Sequence, residues 1–181
     1  MAAPDAEPMD LPRIDAPVHV LLLVAPFYRG IADGLLAGAR AVLERAGATH
    51  ETVEVPGALE IAPAIRMAHG TRRFDAHVAL GCVIRGETTH YETVCQESAR
   101  GITLLGALSG VPVGNGILTC ETMAQAEARA DPARMDKGGG AAAAALHLVA
   151  LARRFAPPGP DAPPPGADTL LASATQLTRT A

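Results

Sequence analysis

The chain has no tryptophan and few aromatic residues of any kind, 3% of its 181 positions. A protein that threads single-stranded nucleic acid needs aromatic faces on which bases stack, so that class is disfavoured at the outset. Runs of lysine and arginine are also missing, and the formal net charge is −4. A footprint on a phosphate backbone would require the opposite balance, so no nucleic-acid partner is expected. Cysteine is scarce: Cys82, Cys95 and Cys120 are odd in number and show no C-x-x-C spacing. That argues against a disulfide framework and a zinc site, and suits a reducing compartment. The six histidines have neither H-x-x-x-H nor H-E-x-x-H spacing, so no metal is expected. No apolar run reaches membrane-spanning length; the segment 141–152 is too short and carries His147. The opening MAAPDAEPMDLPRIDAP lacks the basic and apolar regions of a signal peptide. The expected location is therefore the cytoplasm, with no membrane partner.

What is present reads as one globular domain. Hydrophobic residues make up 49% of the chain and charged residues 19%, enough for a real core in a soluble protein. Residues 1–16 are acidic and Pro-rich and read as a flexible arm. Residues 157–181 begin PPGPDAPPPG and read as a mobile Pro-rich tail. Between them, 17–156 alternate strand and helix patterns. His19–Val24 is a continuous apolar run, as expected of a strand buried on both faces. A helix near 30–46 ends at Gly47. Thr52–Val55 is the second strand, closed by Pro56-Gly57. Pro63 places the start of the next helix near Ile61 or Ala62, with its end at about Ala68, because proline is tolerated in the first turn and not inside. That leaves Glu60 at the mouth of the turn. A third strand over Ala76–Ile84, a helix over 90–108 and a fourth strand over Val111–Leu118 follow. Helices over Thr122–Ala130 and Gly139–Arg154 complete the unit. The order predicts an α/β three-layer sandwich, a four-stranded parallel sheet with helices on both faces.

In such a sheet ligands bind beyond the carboxyl ends of the strands. Four turns lie there: Ala25–Gly30, Pro56–Glu60, Ile84–His90 and Cys120–Thr122. The third contains Thr89-His90-Tyr91-Glu92, a T-x-x-E capping box, which accounts for Thr89 and Glu92 as plain helix-start chemistry. It leaves Thr88 and His90 unexplained. A histidine opening a helix meets partial positive charge, which disfavours its charged form and keeps a neutral imidazole available as a general base. The free amides of 86–89 would suit an anion such as phosphate. Glu60 either complements a helix dipole or accepts hydrogen bonds from a polyol. Phe27 either caps the core or offers a face to a flat heterocycle. Thr122-Met123-Ala124-Gln125 is a second capping box. Arg129 near the end of that helix either balances its dipole or holds a phosphate. Asp136-Lys137-Gly138-Gly139-Gly140 is no P-loop, because the lysine precedes the glycines. Lys137 reads as a solvated or anion-facing lysine in a Gly-rich loop.

Taken in order, Phe27-Tyr28, Val55-Pro56-Gly57-Ala58-Leu59-Glu60-Ile61, Gly81 through Tyr91 (GCVIRGETTHY), Gly110–Val113, Gly116–Thr119, Gln125–Arg129 and Lys137-Gly138 resemble the lumazine synthase family over about 17–154. The V-I-R-G-x-T-T-H-Y segment is highly specific, and VPGAxEI supports it independently. The resemblance implies a flavodoxin-like fold and the penultimate step of riboflavin biosynthesis, with two small-molecule substrates and no cofactor or metal. It implies homopentamers, in some members a 60-subunit shell, with sites between subunits. The N-terminal arm would add to a neighbouring subunit, and riboflavin synthase would be the functional partner. Carried over by position, Phe27 would stack on a pyrimidine, and Ala58, Leu59 and Glu60 would hold a ribityl chain. Val83 and Ile84 would meet the pyrimidine edge. Gly86, Glu87 and Thr88 would face the phosphate, joined by Arg129 from the next subunit. His90 would move protons, and Lys137 would lie near the pocket.

Some positions depart from the family's pattern. Asn115 stands where many members have an aromatic, and Tyr28 replaces a common asparagine. The loop Asp131–Asp136 lacks the Gly-rich sequence of many shell-formers, which leans towards a free pentamer. A non-catalytic flavin- or lumazine-binding or shell protein on the same scaffold, and a Schiff-base lyase through Lys137, are the alternative readings.

Overall fold

The computed structural model describes residues 9–156; residues 1–8 of the arm and the tail 157–181 lie outside the described residues. The chain runs β1 (His19–Val24), α1 (Arg29–Arg45), β2 (Thr49–Glu54), α2 (Ala58–Gly70), β3 (Ala76–Ile84), α3 (His90–Ser109), β4 (Val113–Cys120), α4 (Met123–Ala130) and α5 (Lys137–Arg154). All strands are parallel, in the order β2-β1-β3-β4. Among the described residues no helix is long and apolar enough to cross a membrane.

The apolar run of β1 divides as its period of two requires. Val20, Leu22 and Val24 join the core under α1 and α5, while Leu21, Leu23 and Ala25 join the core under α2 and α3. Each such side chain, fully buried, contributes about 1.5–3 kcal/mol relative to exposure, so this strand anchors both layers. The two layers are unequal. Of α3 only Ser98, Ile102 and Leu105 are buried, and Met67 on α2 and Leu108 on α3 stay 75% and 78% exposed.

Several boundaries differ from the sequence expectation, each for a local reason. β2 opens at Thr49 and closes at Glu54; as an edge strand it is only half covered and carries polar residues that the apolar pattern misses. β4 opens at Val113, because Val111 is spent on closing α3. Gly110 takes the left-handed conformation (φ 63°), and the Val111 N–H donates to the Leu105 carbonyl at 3.2 Å. α2 begins at Ala58, so Pro63 lies inside it and Glu60 lies in its first turn. Proline lacks an N–H, which leaves the Leu59 carbonyl without its usual helical donor. Leu59 is on the exposed side of the helix, so that carbonyl can face solvent or a ligand.

α5 begins at Lys137, two residues ahead of the expected start at Gly139, so Lys137 and Gly138 are helix rather than loop. Asp136 caps α5, its side chain accepting from the Gly139 N–H at 2.9 Å. A side chain at Gly138 would fall 2.0 Å from the Leu35 carbonyl oxygen of α1, and one at Gly114 would fall 1.9 Å from the Ala141 carbonyl oxygen. The start of α5 is therefore in close contact with α1 and β4. Residues ahead of β1 also touch the core: Leu11 and Ile14 pack against it, and Arg153 donates to the carbonyls of Ala16 (3.1 Å) and Pro17 (2.9 Å).

Candidate active site

β1 sits between β2 and β3, so the chain leaves it in opposite directions, and a crevice opens where the strand order reverses. A cavity of about 460 Å³ occupies that place. Its walls come from the turn after β1 (Ala25, Phe27, Tyr28), the start of α2 (Pro56–Glu60), the end of β3 (Cys82, Val83, Ile84) and the turn into α3 (Gly86, Thr88, His90). Tyr91 and Val94 close it from α3.

Nine of the expected residues meet here: Phe27, Ala58, Leu59, Glu60, Val83, Ile84, Gly86, Thr88 and His90. Glu87 lies between two of them and is itself exposed, off the cavity wall. Phe27 does not cap the core. It is 76% exposed, set edge-to-face on Tyr28 with ring centres 5.0 Å apart, and leaves a flat apolar face at the cavity mouth. The Glu60 carboxylate folds over Gly57, where an added side-chain carbon would come within 3.0 Å of it. Gly86 has ordinary backbone angles, and a side chain there would meet nothing within 4 Å. The fold does not demand glycine at 86, and the backbone there is open to the cavity.

His90 is the first residue of α3, as the sequence suggested. The capping box around it is not made. Thr89 contributes no side-chain cap, and the Glu92 carboxylate turns away to pair with Arg85. That guanidinium, with Glu92's own backbone amide, holds the carboxyl below its ordinary range. The amides of 86–91 make no backbone hydrogen bond among the described residues, so they stand free at the positive end of a 20-residue helix. At the second box the expectation holds. Thr122 Oγ1 accepts from the Gln125 N–H at 3.3 Å, and Gln125 Oε1 accepts from the Glu121 N–H at 2.9 Å.

Two other titratable side chains line the cavity and stay protonated. Burial, and then the neighbouring Cys120, pushes the Cys82 thiol up to about 12. Burial likewise pushes the Tyr91 phenol up to about 12. Neither gives up a proton near neutrality. Cys82 and Val94 were missed from the sequence. The available signals were spacing along a strand from Ile84 and one helical turn from His90.

Asn115, Arg129 and Lys137 line a different cavity, also about 460 Å³, along the open edge of β4 and the start of α5. It shares no wall residue with the first. Asn115 Oδ1 accepts from the Ile117 N–H at 3.0 Å, so the amide occupies strand backbone that an aromatic would leave open. Arg129 Nη1 donates to the Gln125 carbonyl at 3.0 Å, and the residue is half-buried. Lys137 is exposed on the first position of α5, with no apolar enclosure of the kind that activates a Schiff-base lysine. No group of three or more metal-binding side chains occurs among the described residues, and all three cysteines are free thiols.

Residues 17–153 match the family model for 6,7-dimethyl-8-ribityllumazine synthase. A 6,7-dimethyl-8-ribityllumazine synthase of Jannaschia sp. is 52% identical over 158 residues, covering 87% of this chain and 88% of the relative. Those of Sphingopyxis alaskensis (57% over 137 residues, 76% and 96% covered) and Methylocella silvestris (53% over 159 residues, 85% and 97%) are similarly close.

Proposed function

The chain belongs to the 6,7-dimethyl-8-ribityllumazine synthase family, and from that premise we propose how its own residues carry the reaction. The protein is a transferase of riboflavin biosynthesis. It condenses 5-amino-6-(D-ribitylamino)uracil with 3,4-dihydroxy-2-butanone 4-phosphate to 6,7-dimethyl-8-ribityllumazine, phosphate and two molecules of water. The observation that supports the assignment of roles is the cavity at the strand-order reversal, where Phe27, Glu60, Thr88 and His90 converge from separate turns.

Phe27 stacks on the pyrimidine, whose edge meets the backbone of Val83 and Ile84. Ala58, Leu59 and Glu60 hold the ribityl chain: the carboxylate accepts from its hydroxyls, and the Leu59 carbonyl, without a helical donor beside Pro63, is a further acceptor. The phosphate of the second substrate sits on the free amides of Gly86, Glu87 and Thr88. Amine attack on the ketone, loss of phosphate and ring closure move protons and transfer no electrons. Imine formation uses the substrate's own amine, so Lys137 need not react. His90 donates and accepts the protons. Holding two substrates in one crevice supplies much of the remaining acceleration.

The same reading makes the site a joint one. The half-pocket with Asn115, Arg129 and Lys137 lies on the open β4 edge and meets the His90 half-pocket of an adjacent subunit, completing the phosphate site with Arg129. The exposed Met67 and Leu108 on the thinner α2/α3 layer fit burial against another copy. The assembly is a homopentamer with the N-terminal arm added to a neighbour, a 60-subunit shell being the larger form open to it. It works in the cytoplasm beside riboflavin synthase, in line with its free thiols. The catalytic unit is 17–156, flanked by the arm and the Pro-rich tail. The deciding experiment is an absorbance assay with both purified substrates: lumazine formation is expected, and ligand binding without formation would leave a non-catalytic scaffold.

A further inference from the structure

Arg85 lies between Ile84 and Gly86 yet does not line the cavity. Its side chain instead ties three elements together. Nε donates to Glu121 Oε2 at 2.5 Å after β4, Nη1 donates to Glu92 Oε1 in the first turn of α3, and the guanidinium lies 4.2 Å from the centre of the Tyr91 ring. Its backbone N–H donates to the Cys120 carbonyl at 3.0 Å, which fixes the start of the side chain. Glu92 is the residue that a T-x-x-E start would send back to the helix amino end. There its carboxylate would occupy one of the free amides and set a negative charge beside the place where the phosphate belongs.

We propose that Arg85 is a positioning residue that withdraws Glu92 from the α3 amino end and so keeps the anion cradle of 86–89 open. The guanidinium acts through Glu92 and touches no substrate. A second acid, Glu121, occupies its other side and aims the fork. The inference rests on the phosphate lying at these amides, as in the reading above.

The test is a four-protein cycle, wild type, Arg85→Gln, Glu92→Ala and the double variant, with kcat and both KM values measured. Arg85→Gln is expected to raise KM for the butanone phosphate about tenfold, by releasing a like charge beside it, and to leave KM for the pyrimidine nearly unchanged. Glu92→Ala is expected to resemble wild type, and the double variant to recover most of the lost KM. A double variant as impaired as Arg85→Gln, or an unchanged KM in Arg85→Gln, overturns the inference. Should Arg85→Gln fail to fold, Arg85→Lys, which keeps the charge without the fork, is expected to show a smaller rise in the same KM, again removed by Glu92→Ala. An absence of that rise or rescue counts against Arg85 equally. Inorganic phosphate competition in the wild type separates the two levels. If phosphate does not compete with the butanone phosphate, the placement of the anion falls. If it competes and the cycle shows no rescue, only the role of Arg85 falls.

Discussion

Two turns of this molecule carry the same signature and come out as opposites. After β4, Thr122 and Gln125 make a closed cap. After β3, Thr89 and Glu92 do not, because Arg85 takes the carboxylate. The difference between them is charge. Gln125 is neutral, so the backbone is its best partner. Glu92 is an anion with a guanidinium in reach, and a charge-assisted pair is roughly twice as strong as the neutral bond it displaces. One turn is finished by its own residues. The other is left with free amides, a histidine and an open glycine, the conditions under which a ligand completes the site.

The comparison can be broken most sharply at His90. His90→Ala is expected to lower kcat by about a hundredfold or more, while equilibrium binding of the pyrimidine persists; unchanged turnover would return the β3 turn to the same structural status as the β4 turn. Next is Arg129→Ala, expected to raise KM for the butanone phosphate about tenfold and the pyrimidine KM much less. Equal effects on both substrates would remove Arg129 from the phosphate. A stability pair follows. Thr122→Ala is expected to lower the unfolding free energy by about 1 kcal/mol, as loss of a made cap does, and Thr89→Ala by only a few tenths of that, read by denaturant melts. Similar losses would mean that both caps exist in solution.

The smallest effect is one of pH. Arg85 depresses the folded-state pKa of Glu92, so the pair's contribution is fully present above the ordinary carboxylate value. It is lost as pH falls through the lower folded value. Amide exchange at the start of α3 should therefore change in that acid window, and exchange at the start of α4, capped by a neutral amide, should not.

Much of this was readable from residue order. The doubly buried β1 run, the alternation of strands and helices, and His90 at a helix start all followed from spacing. What escaped depended on contacts between distant segments. Pro63 argued locally for a later α2, yet the helix holds it one turn after the exposed Leu59, whose carbonyl it leaves without a helical donor. Lys137 and Gly138 read as loop ahead of a helix from Gly139; α5 in fact starts at Lys137, where Gly138 meets the Leu35 backbone of α1. The failed cap at Thr89 needed Arg85 in three dimensions. The separation of Arg129 from His90 on one chain was visible only as two cavities, and the resemblance had already assigned them to neighbouring subunits.

The proposal that the site is shared admits one direct measurement. His90→Ala and Arg129→Ala chains are co-expressed in equal amounts, and the mixed assembly is assayed for lumazine formation at butanone phosphate well below its wild-type KM, where each parent variant alone is slow. If His90 and Arg129 act from adjacent subunits, random mixing in a ring leaves about a quarter of the sites intact, and turnover should recover to about that fraction of wild type. Turnover no greater than the average of the two parent variants would contradict a site completed between subunits.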